Sequence, residues 1–332
     1  MNPVQENANE DDTTSFILFQ GRFLKKLARV GKTINTIKNY KTDLDCFNQY
    51  IQKKNQNLDL RQFTDPDVTE YHHYLLERYQ SDNSRRRRVQ TLRIFFDFLM
   101  EENLYPSNPV RALPTSPKFL DIPRPTPFID IKTLWQYLLE ESRGSQGLPK
   151  ILALRNQVIV LLIFGAGLKV SDLARIPAGH IQPGIAPRTM VSPPKRDPYT
   201  IPLPEIFNHI WEEYSTLLTK MKMDAALTFD EALFSANAYQ IIAGGISPRG
   251  VEILFEEYRK KLMIVLTPKS LRQACIFKWI QEKKNDTSIK EWLGVAPSYG
   301  LGPYKDGPIQ QTYNEESLAE IYWHYKGRHR KV

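Results

Sequence analysis

Cysteine is scarce in this 332-residue chain: Cys46 and Cys275 are the only two, far apart in sequence and in no CxxC spacing. That excludes a disulfide framework, and with no His-rich pairing nearby it gives no support to a zinc site. Long apolar runs are missing as well. The longest uncharged apolar-rich stretch in the interior, Asn156 to Leu168, is shorter than the roughly 18 residues that read as a membrane helix. The N-terminus, MNPVQENANEDD, holds four acids and no base, so it lacks the basic and apolar regions of a signal peptide. It reads as a flexible acidic tail over residues 1–14. These absences predict a cytoplasmic protein, nucleoid-associated in a prokaryote, with no membrane partner, no metal and no cofactor. There is no internal repeat, and the adjacent His72 and His73 point about 100° apart on a helix, which rules out joint chelation of one metal ion.

What the chain does contain is an ordinary core-forming composition, 41% hydrophobic and 25% charged, in a length suited to two domains. Its net charge is +8 and its isoelectric point about 9.2, an excess that points to a polyanionic partner and first of all to nucleic acid.

The pattern along the chain is mainly helical. Ile34, Ile37, Tyr40, Leu44, Phe47 and Ile51 recur at three- and four-residue spacing behind the capping candidates Thr33 and Thr36, which predicts an amphipathic helix with Lys38 and Lys41 on its polar face. A second helix starts near Asp65, where Thr64-Asp-Pro-Asp supplies a cap and a first-turn proline. A third starts near Ser84, with Val89, Leu92, Phe95, Phe96 and Leu99 inward and Arg85, Arg86, Arg87 and Arg88 at its front. Residues 15–113 form this helical domain, which carries 17 Lys and Arg against 11 Asp and Glu from Thr13 onward. The prolines of residues 114–127 forbid helix and predict an extended linker, leaving 128–332 as the second domain. In that domain helices are expected at Ile131–Ser142, Leu152–Phe164, Ile206–Lys222, Gly250–Leu262, Pro268–Lys284, Ile289–Leu293 and Glu315–Tyr325. Between the second and third of these, Thr189–Val191 and Tyr199–Leu203 flank a basic turn as a β-hairpin whose prolines put it at a sheet edge.

Four segments, in order, resemble the tyrosine recombinases, the family of phage integrases and Xer-type resolvases. They are TINTIKNYKTDLDCFNQYI with the later RIFFDFL and Asn108-Pro109; GAGLKVSDLARI; PPKRDPYTIPLP; and LTPKSLRQACIFKWI. The resemblance covers nearly the whole chain from Phe16. It implies a mainly α fold with a small sheet: an N-terminal SAM-like core-binding domain, then an α+β catalytic-type domain. It also implies double-stranded DNA as partner, self-association or an active relative on DNA, and attack on a phosphodiester by a tyrosine through a 3′-phosphotyrosyl link, without metal or ATP. In such chemistry guanidiniums neutralise the non-bridging oxygens while a lysine or histidine protonates the leaving 5′-oxygen.

Carried over residue by residue, the family's first arginine falls on Lys169, the hairpin lysine on Lys195 with one residue of slippage, the histidine of HxLRH on Lys269 and its arginine on Arg272. The following histidine is Gln273 and a later one is Val295. Lysine keeps a charge but lacks the planar fork, and valine donates nothing, so impaired or absent strand cleavage is the expectation. The nucleophile stays open between Tyr304 and Tyr313. Lys38, Lys41, Arg85 to Arg88, Lys195 and Arg196 are the DNA-contact candidates. The rival readings are an active recombinase and a recombinase fold turned to a protein partner.

Overall fold

The computed structural model describes residues 15–54, 63–113, 122–174, 176–193, 196–237, 239, 241–306 and 311–327. The expected acidic tail, residues 114–121 of the expected linker, Lys195 and the basic end at 328–332 lie outside them. The chain divides into two compact units, Met1–Phe119 and Leu120–Val332.

The first unit is built from α1 (Phe16–Arg29), α2 (Ile34–Lys53), α3 (Asp65–Arg78) and α4 (Asp82–Glu101). Side-chain caps begin three of them. Thr33 accepts from the Thr36 amide, Ser81 from the Ser84 amide, and Thr64 forms a reciprocal capping box with Asp67, so each helix starts where a short polar side chain satisfies an orphan N–H. Helix α4 thus starts two residues ahead of the expected Ser84. The apolar faces meet in a core of rings: Phe16 packs edge-on to Phe47 at 5.3 Å, Phe47 to Phe63 at 5.1 Å, and Phe23 to Phe95 at 5.6 Å. Asn108 explains the RIFFDFL and Asn-Pro segments. Its amide donates to Arg93 O at 2.8 Å and Asp97 Oδ1 at 2.7 Å, while Arg93 Nε reaches Val110 O at 3.1 Å. Together they tie the turn at Pro109–Ala112 back onto α4.

The second unit holds α5 (Phe128–Gly144), α6 (Gly147–Val160), α7 (Val170–Leu173), α8 (Ile206–Asp224), α9 (Pro248–Leu262), α10 (Pro268–Gln281), α11 (Asp286–Trp292), α12 (Gly302–Lys305) and α13 (Glu316–Gly327). Strands β1 (Ile181–Gln182), β2 (Arg188–Val191) and β3 (Tyr199–Pro202) form an antiparallel sheet in that order, with Val191 opposite Tyr199. The proline-bearing β3 takes an edge, as its missing N–H requires. A second hairpin, β4 (Phe234–Ala236) and β5 (Ile242–Gly244), has no counterpart in the sequence pattern.

Helix α6 runs on through a π-helical turn at Leu161–Gly165. The continuous helix Gly147–Gly165 is 19 residues long with a mean hydropathy of 1.6, longer and more apolar than the sequence reading allowed for a spanning segment. Its most apolar window is 72% buried inside the unit, which makes it a core helix. Ile122–Pro127, expected as linker, lies against α10. Prolines occupy 123, 125 and 127, so Arg124 and Thr126 carry the available amides. Thr126 N donates to Ser270 O at 3.0 Å and Arg124 N to Gln273 Oε1 at 3.1 Å.

The buried end of the π turn rests on an ion pair. Lys278, 1% exposed, donates to Glu315 Oε1 at 2.6 Å and to Gly165 O at 3.2 Å. Removing one partner strands a charge in a dry site, so Lys278→Met is expected to cost about 3–5 kcal/mol. The double variant Lys278→Met/Glu315→Leu should regain most of that loss, as read from urea denaturation midpoints.

Candidate functional site

Three of the sequence-predicted residues converge on one cleft. Lys169 caps the N-terminus of α7, in the loop that leaves the π turn, and its ammonium lies 3.5 Å from Asp172 Oδ2 while nearly half exposed. Lys269 and Arg272 come from the first turns of α10. That helix is started by Thr267 and Ser270, which cap each other's amides at 2.9 Å, so the turn that aims both cations is rigidly set. The cleft, of about 560 Å³, is lined by Lys169, Lys269 and Arg272 and, from α9, by Arg249, Glu252, Glu256 and Arg259. Five cations face two carboxylates there, and both carboxylates are engaged: Arg249 with Glu252 at 3.1 Å and Arg259 with Glu256 at 3.7 Å. The arrangement suits an anion. The α9 arginines carry no motif, and no spacing rule in the sequence would have picked them out.

Arg272 is held by backbone. Its Nε donates to Gly167 O at 2.5 Å and its Nη2 to Leu293 O at 2.8 Å. Among the described residues Nη1 has no acceptor, so one edge of the guanidinium is available to a ligand. Gly167 adopts φ +65, and a Cβ there would lie 2.6 Å from the Trp279 ring. Only glycine can present its carbonyl to Arg272 from that conformation.

The other candidates are placed differently. Arg196, beside Lys195, sits with its guanidinium 4.8 Å from the Tyr199 ring centroid. Gln273 Oε1 accepts from the Arg124 amide, and Val295 is half-buried against the core. Tyr304 packs on Phe277 at 5.3 Å. Burial, with the neighbouring Tyr299, pushes its pKa well above the ordinary phenol value, against the opposing charge of Arg272. Tyr313, 3% exposed, donates to Thr126 O at 3.0 Å and accepts from Gln311 Nε2 at 2.7 Å. Burial alone raises its pKa. It lines a separate cleft of about 660 Å³ with Glu205, Glu282, Glu315 and Glu316. The structure therefore puts Tyr304 on the Arg272 side of the unit and Tyr313 beside acids.

In the first unit Lys38 and Lys41 are exposed on α2. The arginine run is largely occupied within the unit. Arg88 is 8% exposed, its guanidinium 3.7 Å from the Tyr79 ring centroid, and donates to Ser84 O. Arg85 binds Asp82 and the Tyr79 carbonyl, and Arg87 pairs with the buried Asp43 at 2.8 Å. The expectation of four outward phosphate contacts is corrected for Arg88, which presents no charge to solvent: the i, i+3 register of the run places it on the inner face next to Val89 and Leu92.

An all-helical first unit followed by a helical unit with a small sheet and a cationic cleft makes this a two-unit α+β protein with a site suited to an anion. A family model described as the phage integrase N-terminal SAM-like domain matches residues 21–103. The chain is similar to tyrosine recombinase XerC of Anoxybacillus flavithermus, 26% identical over 79% of this chain and 83% of the relative. It is also similar to XerC of Leptospira interrogans, 21% identical over 87% and 86%. Among solved structures it resembles a lambda integrase dimer bound to a COC' core site (TM-score 0.65, 16% identity, 91% of this chain and 80% of that one). A XerH recombinase in a post-cleavage complex with palindromic difH is similar at TM-score 0.66 and 12% identity, over 91% and 83%. Residues 21–103 thus match the phage integrase SAM-like domain, and most of the chain is similar to tyrosine recombinases.

Gly167→Ala tests the backbone that orients Arg272. Left-handed strain and the clash with Trp279 together should cost about 2–4 kcal/mol, read as a lower melting temperature.

Proposed function

We propose that the chain binds duplex DNA as a site-specific recombination protein, holding a backbone phosphate in the Lys169, Lys269 and Arg272 cleft, with strand cleavage impaired. The convergence of these three cations on one cleft carries the reading, because the negative charge of a phosphodiester is what such a site neutralises. The similar lambda integrase and XerH structures contain DNA sites, which supports the same partner and favours assembly of several copies on it.

Impairment follows from chemistry. Lys169 offers a point charge where a fork would grip two oxygens, Val295 adds no donor, and Tyr313 is tied to Thr126 and lines another cleft. Losing one donor to a developing oxyanion costs on the order of 100-fold in rate. A second reading, an active recombinase, is favoured by one observation: Tyr304 lies within the field of Arg272. In that reaction a tyrosine oxygen bonds phosphorus as its phenol proton passes to water, the phosphorus–5′-oxygen bond breaks, and Lys195 or Lys269 gives the leaving oxygen its proton.

Covalent capture separates the two. The protein is mixed with fragmented genomic DNA of its source, half is washed in SDS and half in mild buffer, and both retained pools are sequenced. The proposal expects a discrete sequence enriched in the mild wash alone. SDS-resistant fragments abolished by Tyr304→Phe or Tyr313→Phe would establish the active enzyme and name its nucleophile. In a binding assay Arg272→Gln should lower the slope of log affinity against log salt by about 1, whereas absence of any DNA affinity at low salt would refute both readings.

A further inference from the structure

The Tyr199 hydroxyl stands at the corner where the charges of the site meet. Tyr199 opens β3, paired with Val191 in the ladder, and its ring carries the Arg196 guanidinium. The hydroxyl lies against Gly294, which adopts φ +63. A Cβ on Gly294 would collide with that oxygen and come within 3.3 Å of Arg196 Nη1. From α10, Arg272 reaches the same corner through its bond to the neighbouring Leu293 carbonyl. From α7 comes Asp172, the partner of Lys169. Asp172, Arg196 and Arg272 are the charged groups that act on the phenol.

Half-buried as it is, this hydroxyl has no hydrogen-bond partner among the described residues. The hydroxyl is therefore open to an added partner, and the charges of Arg196 and Arg272 that act on it favour an anion there. Burial, followed by the charge of Asp172, raises its pKa, so it keeps its proton at neutral pH and acts as a donor.

We propose that Tyr199 is a further anion-binding residue of the site, donating a hydrogen bond to a non-bridging oxygen of the phosphate that Arg272 holds. The proposal rests on the reading of the cleft as a phosphate site. The ring and the hydroxyl have separate tasks. The ring fixes Arg196 by its cation–π contact, and the O–H contacts the ligand. The ligand class is a phosphodiester, with phosphate itself as the minimal probe.

Tyr199→Phe separates the tasks by keeping the ring. Calorimetric titration of the full chain with inorganic phosphate at low ionic strength should show roughly fivefold to tenfold weaker binding in Tyr199→Phe, at unchanged melting temperature, and a larger loss in Arg272→Gln. Phosphate affinity equal to that of the unaltered chain overturns the proposal. So does a lowered melting temperature accompanying the loss, which marks a structural role, and so does an unaltered chain that takes up no phosphate. Duplex DNA is titrated in parallel by fluorescence anisotropy. If DNA is not bound while phosphate binding depends on Tyr199, the recombination reading falls and the residue assignment stands. If DNA is bound while phosphate uptake is indifferent to Tyr199→Phe, the residue assignment falls and the recombination reading stands.

Discussion

The site depends on one side chain being pinned by backbone. Arg272 spans from the loop after α6 to the loop after α11 because its Nε and Nη2 find the carbonyls of Gly167 and Leu293. A lysine would reach one of these at most, since its single nitrogen lacks the fixed divergence of a guanidinium. Two helix-exit loops are thereby set relative to α10, and Lys169, which follows the first of them, comes with it. Gly167, which supplies one of these carbonyls, and Gly294, which follows the other, both adopt left-handed backbone, a conformation that glycine takes without strain.

Around that anchor the cations fall into two kinds. Lys278 is sealed in, matched to Glu315 and a carbonyl, and serves the fold. Lys169 and the α9 arginines are exposed or half-exposed, and their ion pairs lie within one turn of helix or loop. Pairs of that sort are weak in water, so these cations are only loosely committed to their partners. The contrast separates a cation committed to the fold from cations whose pairs are local and solvent-exposed.

The sequence reveals the helices because their apolar faces repeat at helical spacing and their caps are short polar residues, as at Thr33 and Thr64. It reveals the meeting of Lys169, Lys269 and Arg272 because motif order places them. It is silent on β4 and β5, three residues each, too short for an alternating pattern to register. Arg88 reads as one of four surface cations, and only the packing of Tyr79 beneath it shows that it is buried. Tyr199 escapes for another reason: its role comes from Gly294, some hundred residues away, and no local pattern encodes a contact of that range. The alternating prolines at 123, 125 and 127 read as linker, yet they leave the amides of Arg124 and Thr126 on alternate residues, and both bind α10.

The π turn at Leu161–Gly165 has a geometric corollary. It inserts one residue relative to an α-helix, closing with Ala166 N on Leu161 O, and leaves the Gly165 carbonyl to Lys278 and Cys275. One residue in a helix is about 100° of azimuth. The direction in which the chain leaves α6, and with it the bearing of Lys169 toward Arg272, is therefore fixed by the rotational phase of a single extra residue buried beneath the site. Shortening α6 by one residue at that turn would leave every ligand-facing side chain in the sequence and still turn the first of them away.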